Sequence, residues 1–440
     1  MTELIDALLP LRIARIALHW LVEPGNAAVH RMVRRYGPVR TLDKLLDGDM
    51  PDQELRGSVA ARLKAGDPYE VAAAAIARAD ELGARIVTPE DVEWPHQVDD
   101  LKHLLEIPSD NRIDRDTAPP LCLWVRGPLP LAETLDRSVA VVGARAATAY
   151  GEHVATGLAF GLAERGWTVV SGGAYGIDSS AHRGALAAGG ATVAVLACGV
   201  DRPYPMGNTS LFDRIAEAGL MISEWLPGAD PVRHRFLIRN RVIAAVTRGT
   251  VVVEAAARSG ASQTLRRAQA LGRRPMAVPG PVTSAMSVGC HHLLREHPQI
   301  RLVTGLPHVL EEVGSIGNDL APTPRGPDRP HDVLDSEATM VFDAMPLRRP
   351  AGPDALAAHA GLDIRTVMRK LSLLEQLGFV VRRDGGYILA PKERESSTPG
   401  ERKGSAPNES ERRAADEREG GAADEREGGA ADEPEGGVPA

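Results

Sequence analysis

The strongest constraint on this chain is the stretch from Ser138 to Leu186, which reads as two strand–glycine-turn–helix units. The β-branched runs Val139–Val142 and Thr168–Val170 each end in glycine and small polar residues, in SVAVVGARAATAYG and TVVSGGAYGIDSSAHRGAL. A helix-compatible segment follows each run. The units lie about 30 residues apart, the spacing of a right-handed βαβ crossover. Such a crossover brings both glycine turns to the carboxyl edge of a parallel sheet, where backbone N–H groups and helix N-termini form an anion site. More apolar runs follow at Thr192–Ala197, Leu220–Ser223, Gly249–Glu254, Pro275–Val278 and Arg301–Val303, with helical intervals between them. Strands apolar on both faces, alternating with helices, predict an α/β fold: a doubly wound parallel sheet covered on both sides.

The flanks differ in character. Residues 1–82 show apolar positions at helical spacing, broken at Pro24–Gly25 and Gly37–Pro38, and predict a small all-helical domain. Residues 83–315 form the α/β domain, opening with strands at Arg85–Thr88 and Leu121–Arg126. Residues 316–335, rich in Pro, Gly and Asp, read as a linker. Residues 336–390 predict three helices and a hairpin through Asp384–Gly385–Gly386, the pattern of a winged helix. Its third helix presents Arg365, Arg369, Ser372 and Gln376 on a face that suits a DNA groove or plain solvent. From 391 to 440 the AADEREGG repeat carries no apolar period, so an acidic disordered tail is expected.

Charge divides along the same lines. The whole chain is at −8, but residues 130–305 hold 18 arginines, no lysine and 12 acidic residues, a balance of +6. A basic middle favours phosphate-bearing partners. Cys122, Cys198 and Cys290 are odd in number and far apart, so reduced thiols in a cytoplasmic protein are expected, with no metal site. No apolar run is long enough to span a membrane.

Four segments carry candidate chemistry. In Gly143–Gly151 (GARAATAYG), Gly143 lets a phosphate approach, Arg145 clamps it, and Thr148 adds a hydroxyl. Ser171, Gly172 and Gly173 read as a second set of exposed N–H groups, a nest for anions. In Arg233–Arg241 (RHRFLIRNR), Arg233, Arg235, Arg239, Asn240 and Arg241 surround Phe236, a basic–aromatic mix that suits single-stranded nucleic acid. The same arginines could instead pair with Glu224 and Glu254 around a core Phe236. Ser259–Gly260 sits at a turn before another helix, aimed at the same sheet edge. Asp178 and His182, four apart on a helix, read as a cap and a structural hydrogen-bonder before an acid–base pair. No dinucleotide fingerprint or Walker loop occurs, and no cofactor is expected.

These segments, with TVAVLACGVDRPYP, ISEW, VVVEAAARSGASQT and AVPGPVTSAMSVGCHHLL, resemble the DprA (Smf) family of DNA-processing proteins, in order from about residue 95 to 305. The resemblance implies an extended Rossmann domain that binds single-stranded DNA, forms a homodimer and loads the RecA recombinase, in natural transformation or recombinational repair. It also suits a SAM or helix-hairpin-helix-like N-terminal part and a C-terminal winged helix. It places a phosphate pocket on Gly143, Ala144 and Arg145, with Ala144 where the family usually carries Ser or Thr. Two other readings stand beside it: a nucleoside-monophosphate phosphoribohydrolase, whose PGGxGTxxE run is absent here, and a dimeric adaptor that does not touch DNA.

Overall fold

The computed structural model describes residues 2–106, 117–257, 259–315, 334–346 and 349–390. The chain divides into two compact units, Met1–Pro324 and Arg325–Ala440. Residues 316–333 of the expected linker, and the acidic repeats at 391–440, lie outside the described residues.

The first unit carries strands β1 Ala84–Val87, β2 Leu123–Arg126, β3 Ser138–Val142, β4 Thr168–Ser171, β5 Thr192–Leu196, β6 Leu220–Ser223, β7 Gly249–Val252, β8 Arg274–Ala277 and β9 Arg301–Leu302. Among the described residues they form one sheet in the order 1-2-6-5-4-3-7-8-9. From β6 to β9 every pairing is parallel, while β1–β2 and β2–β6 are antiparallel. The expected parallel sheet is thus extended by an antiparallel edge. β3 pairs with both β4 and β7, so the winding reverses direction between β3 and β7. The loops leaving their carboxyl ends turn to opposite sides and open a crevice there.

Alternation along the strands builds two cores. Val139, Val141 and Val169 face helices α7 Ala149–Glu164, α8 Ile177–Ala187 and α13 Leu306–Val313. Ala140, Val142 and Val170 face α10 Arg233–Ala245, α11 Gly260–Ala270 and α12 Val288–Glu296. Each buried valine contributes roughly 1.5–3 kcal/mol relative to exposure. Helix α6 Leu131–Asp136 leads into β3, and α9 Thr209–Ala218 lies between β5 and β6.

The N-terminal helices are α1 Thr2–Leu21, α2 Ala27–Tyr36, α3 Pro38–Leu46, α4 Gln53–Leu63 and α5 Pro68–Glu81. Ile16, Ala72, Ala75 and Ala79 pack with Ala84 and Trp124 of the sheet edge. The boundary expected near residue 82 therefore falls inside one compact unit.

In the second unit, helices α14 Ser336–Asp343, α15 Pro353–Ala360 and α16 Ile364–Gln376 precede the antiparallel hairpin β10 Val380–Arg383 and β11 Gly386–Leu389. Asp384 and Gly385 both adopt positive φ, at 47° and 78°, as a tight two-residue hairpin turn requires. Val367, Leu371 and Leu374 of α16 are buried, whereas Ile364 and Met368, read from the sequence as part of the same apolar face, are exposed.

Candidate nucleic-acid interface

The crevice between β3 and β7 holds a cavity of about 410 Å³. Gly143, Arg145, Phe236, Arg239, Asn240, Ser259 and Gly260 line it together. At the end of β3 the chain must pass close to α8. A Cβ on Gly143 would lie 2.6 Å from Ile177 Cγ1 and 2.8 Å from the Glu254 carbonyl oxygen, so no larger residue fits. The turn delivers Arg145 to the surface, its guanidinium 5.4 Å from the centre of the Phe236 ring. Phe236 is half-buried and meets Tyr204 edge-on, at 5.7 Å and 62°. No ion pair to Arg145 forms among the described residues. Across the cavity Ser259 caps α11, its Oγ accepting from Ala261 N at 3.2 Å, with Gly260 exposed beside it. The positive end of the α11 dipole thus faces the same space as Arg145.

Other predicted site residues serve the fold. Thr148 caps α7; its Oγ1 donates to Glu254 Oε1 at 2.6 Å and accepts from Gly151 N. The expected anion nest at Ser171, Gly172 and Gly173 is corrected by the structure. The Gly172 N–H donates to Asp178 Oδ2 at 3.1 Å, and Ala174 N–H reaches the same oxygen at 3.4 Å. Ser171 Oγ donates to the Val141 carbonyl, and a Cβ on Gly173 would strike the Phe212 ring. A buried carboxylate occupies the place an anion would take. Burial raises the Asp178 pKa, with Arg239 opposing. His182 is fully buried against Thr192 Oγ1 at 2.7 Å, and desolvation lowers its pKa to about 3, so it stays neutral.

The basic–aromatic helix is corrected in the same way. Its arginines do not share a role. Arg241, with no exposed surface, makes a bidentate pair with Glu224 at 2.7 Å on both arms. Arg239 donates to the carbonyls of Gly172 and Val195 at the ends of β4 and β5; burial lowers its pKa to about 10, still protonated. Arg235 pairs with Glu23 at 2.5 Å, from the loop after α1, and donates to the Asp230 carbonyl. Helical spacing explains the division. Arg235, Arg239 and Val242 fall on one buried face at i, i+4 and i+7, with Arg239 also reaching the cavity wall, while Phe236 and Asn240 fall on the cavity face. Arg233 is exposed at the first turn. The sequence did not signal Glu23, 212 positions from Arg235, or Tyr204, an aromatic in a proline-rich loop.

Two family models match this chain: DNA recombination-mediator protein A over residues 85–314, and the DprA winged helix domain over residues 324–386. The chain belongs to the DprA family of DNA-processing proteins. A DprA of Mycobacterium tuberculosis is 45% identical over 371 residues, 83% of this chain and 91% of the relative. The Smf protein of Escherichia coli K12 is 33% identical over 277 residues, 61% of this chain and 71% of the relative. The X-ray structure of DprA from Streptococcus pneumoniae superposes with a TM-score of 0.54 at 31% identity, covering 70% of this chain and 98% of that one. Among the described residues no helix is long and apolar enough to cross a membrane. The three cysteines are buried and unpaired, and burial raises the pKa of Cys198 to about 11 and of Cys290 to about 12.

Proposed function

We propose that this chain binds single-stranded DNA in the switch-point crevice and, as a cytoplasmic homodimer, loads the RecA recombinase onto it in natural transformation or recombinational repair. The observation that carries this reading is the exposed Arg145, free of carboxylate partners among the described residues and stacked on Phe236. A guanidinium grips a phosphate, and a ring offers a π-face to any base, so the pair suits a strand without sequence preference. Duplex DNA does not present its bases to such a ring. The residues between 83 and 315 would carry the binding, with the winged helix at 336–390 as a separate module. A binding role fits better than an enzymatic one because Asp178 and His182 are both buried and committed to internal hydrogen bonds.

The test is a titration of the full chain with single- and double-stranded oligonucleotides of one sequence, followed by RecA filament assembly on the coated strand. Tighter, salt-sensitive binding of the single strand and faster filament growth are expected. Equal affinity for both forms would count against the crevice reading; tight binding without faster filament growth would leave DNA binding and remove the loading step.

A further inference from the structure

A second basic surface lies on the N-terminal helices. Residues 27–46, helices α2 and α3, carry Arg31, Arg34, Arg35, Arg40 and Lys44 against a single acid, Asp43. The spacing of Arg31, Arg34 and Arg35 puts three guanidiniums on one face of α2. The adjoining face buries Ala28, Val29 and Met32. All three arginines are exposed, and none pairs with a carboxylate among the described residues. Their field reaches the neighbouring His30, whose pKa is lowered by burial first and then by Arg34, with Arg31 adding to the effect. The helix dipole accounts for arginine in the last turn of α2, at positions 34 and 35, but not for Arg31, which sits mid-helix.

Glu23, which lines a groove beside this face, links it to α10 through Arg235. Arg31 and Arg62 line one groove of about 530 Å³, together with the carboxylates of Glu23, Asp52 and Glu54. Arg62 lies 3.6 Å from Glu23, which also holds Arg235 and sits 3.9 Å from His234. His234 and Arg233 are exposed in the turn of α10 that leads to Phe236. Glu23 itself presents little net repulsion, since Arg235 and Arg62 both approach it.

We infer that the sugar–phosphate backbone of a strand leaving the crevice passes Arg233, His234 and Arg62 and lies along Arg31, Arg34 and Arg35. This rests on the single-strand reading of the crevice and extends it. The N-terminal helices then act as a second, purely electrostatic segment of the binding site.

The experiment compares dT oligonucleotides of about 6 and about 20 nucleotides, one within and one beyond the roughly 4–16 nucleotides that an OB fold covers. Wild type, the triple variant Arg31→Ala/Arg34→Ala/Arg35→Ala and Arg145→Ala are titrated against salt as full-length chains. The triple variant is expected to bind the longer oligonucleotide about tenfold more weakly, with a salt slope smaller by about 2, at roughly 0.7 per phosphate. Its binding of the shorter oligonucleotide should match wild type, whereas Arg145→Ala should weaken both. If wild type fails to bind the shorter oligonucleotide, the crevice reading and this extension fall together. If it binds, and the triple variant keeps the wild-type affinity and slope for the longer one, the extension is wrong and the crevice reading stands. Melting curves verify folding. Should the triple variant not fold, Arg31→Ala alone carries the test, with an expected slope loss of about 0.7.

Discussion

The turn after β3 and helix α10 both bring arginine to one crevice, yet they use it differently. The turn leaves Arg145 exposed, touching an aromatic ring, with no carboxylate partner among the described residues. The helix turns Arg235, Arg239 and Arg241 inward, onto Glu23, two strand-end carbonyls and Glu224. A surface guanidinium keeps its Coulomb attraction for an incoming phosphate. A buried one is stabilised only by the partners that already surround it, and its removal strands them. The contrast teaches that arginine density in a sequence overstates the number of phosphate contacts, and that helical phase decides which arginines remain available.

The largest expected effect comes from the inward set. Arg241→Ala leaves the Glu224 carboxylate buried and unpaired, which costs roughly 3–5 kcal/mol. Thermal denaturation should show a drop of several degrees, and Arg241→Ala/Glu224→Leu together should recover part of it. A variant that melts like wild type would break the contrast at its strongest point.

The exposed arginine should show the reverse pattern. Arg145→Ala should leave the melting temperature near wild type and weaken single-strand binding by about 2 kcal/mol, given roughly 1.5–3 for a hydrogen bond to a charged group. The salt slope should fall by about 0.7, the value for one single-strand phosphate. Lost stability with unchanged affinity would place Arg145 with the inward arginines.

Phe236→Ala sharpens the comparison by separating ring from charge. The expected loss is roughly 1–3 kcal/mol of affinity, with the salt slope unchanged, since a ring releases no counterions. A changed slope would mean that the ring acts by placing Arg145 and not by stacking.

The smallest effect concerns Glu23, the partner of Arg235. Burial pushes its pKa up, but hydrogen bonds from Arg235 and Trp225 outweigh this and hold it below the ordinary 4.5. A depressed folded pKa means stabilisation that is present above the unfolded value and is lost as pH falls through the folded one. Glu23→Gln should therefore melt below wild type at neutral pH, by about 1 kcal/mol, and the two curves should converge as acid protonates Glu23. A gap that persists in acid would assign the effect to packing.

Much of this fold was legible because strand and helix periods are local properties. The runs at Val139–Val142, Thr168–Val170 and Gly249–Glu254 became β3, β4 and β7 within a residue or two. The Asp384–Gly385 turn was legible for the same reason, since positive φ at both positions restricts the residue types. The antiparallel edge was not. Strand direction depends on where the chain re-enters the sheet, and nothing in Leu121–Arg126 encodes that.

The site divides along the same line. By itself the sequence determined that glycine turns end β3 and β4, that arginines crowd Phe236, and that one sheet edge would collect them, because each follows from residue type and short-range spacing. Only the tertiary structure decided which groups remain available to a ligand. Asp178, six residues past Gly172, closed the expected nest, and Glu23, more than 200 positions from Arg235, neutralised it. The reason is physical: a buried N–H or guanidinium must find a partner, and that partner comes from whichever element the packing brings near.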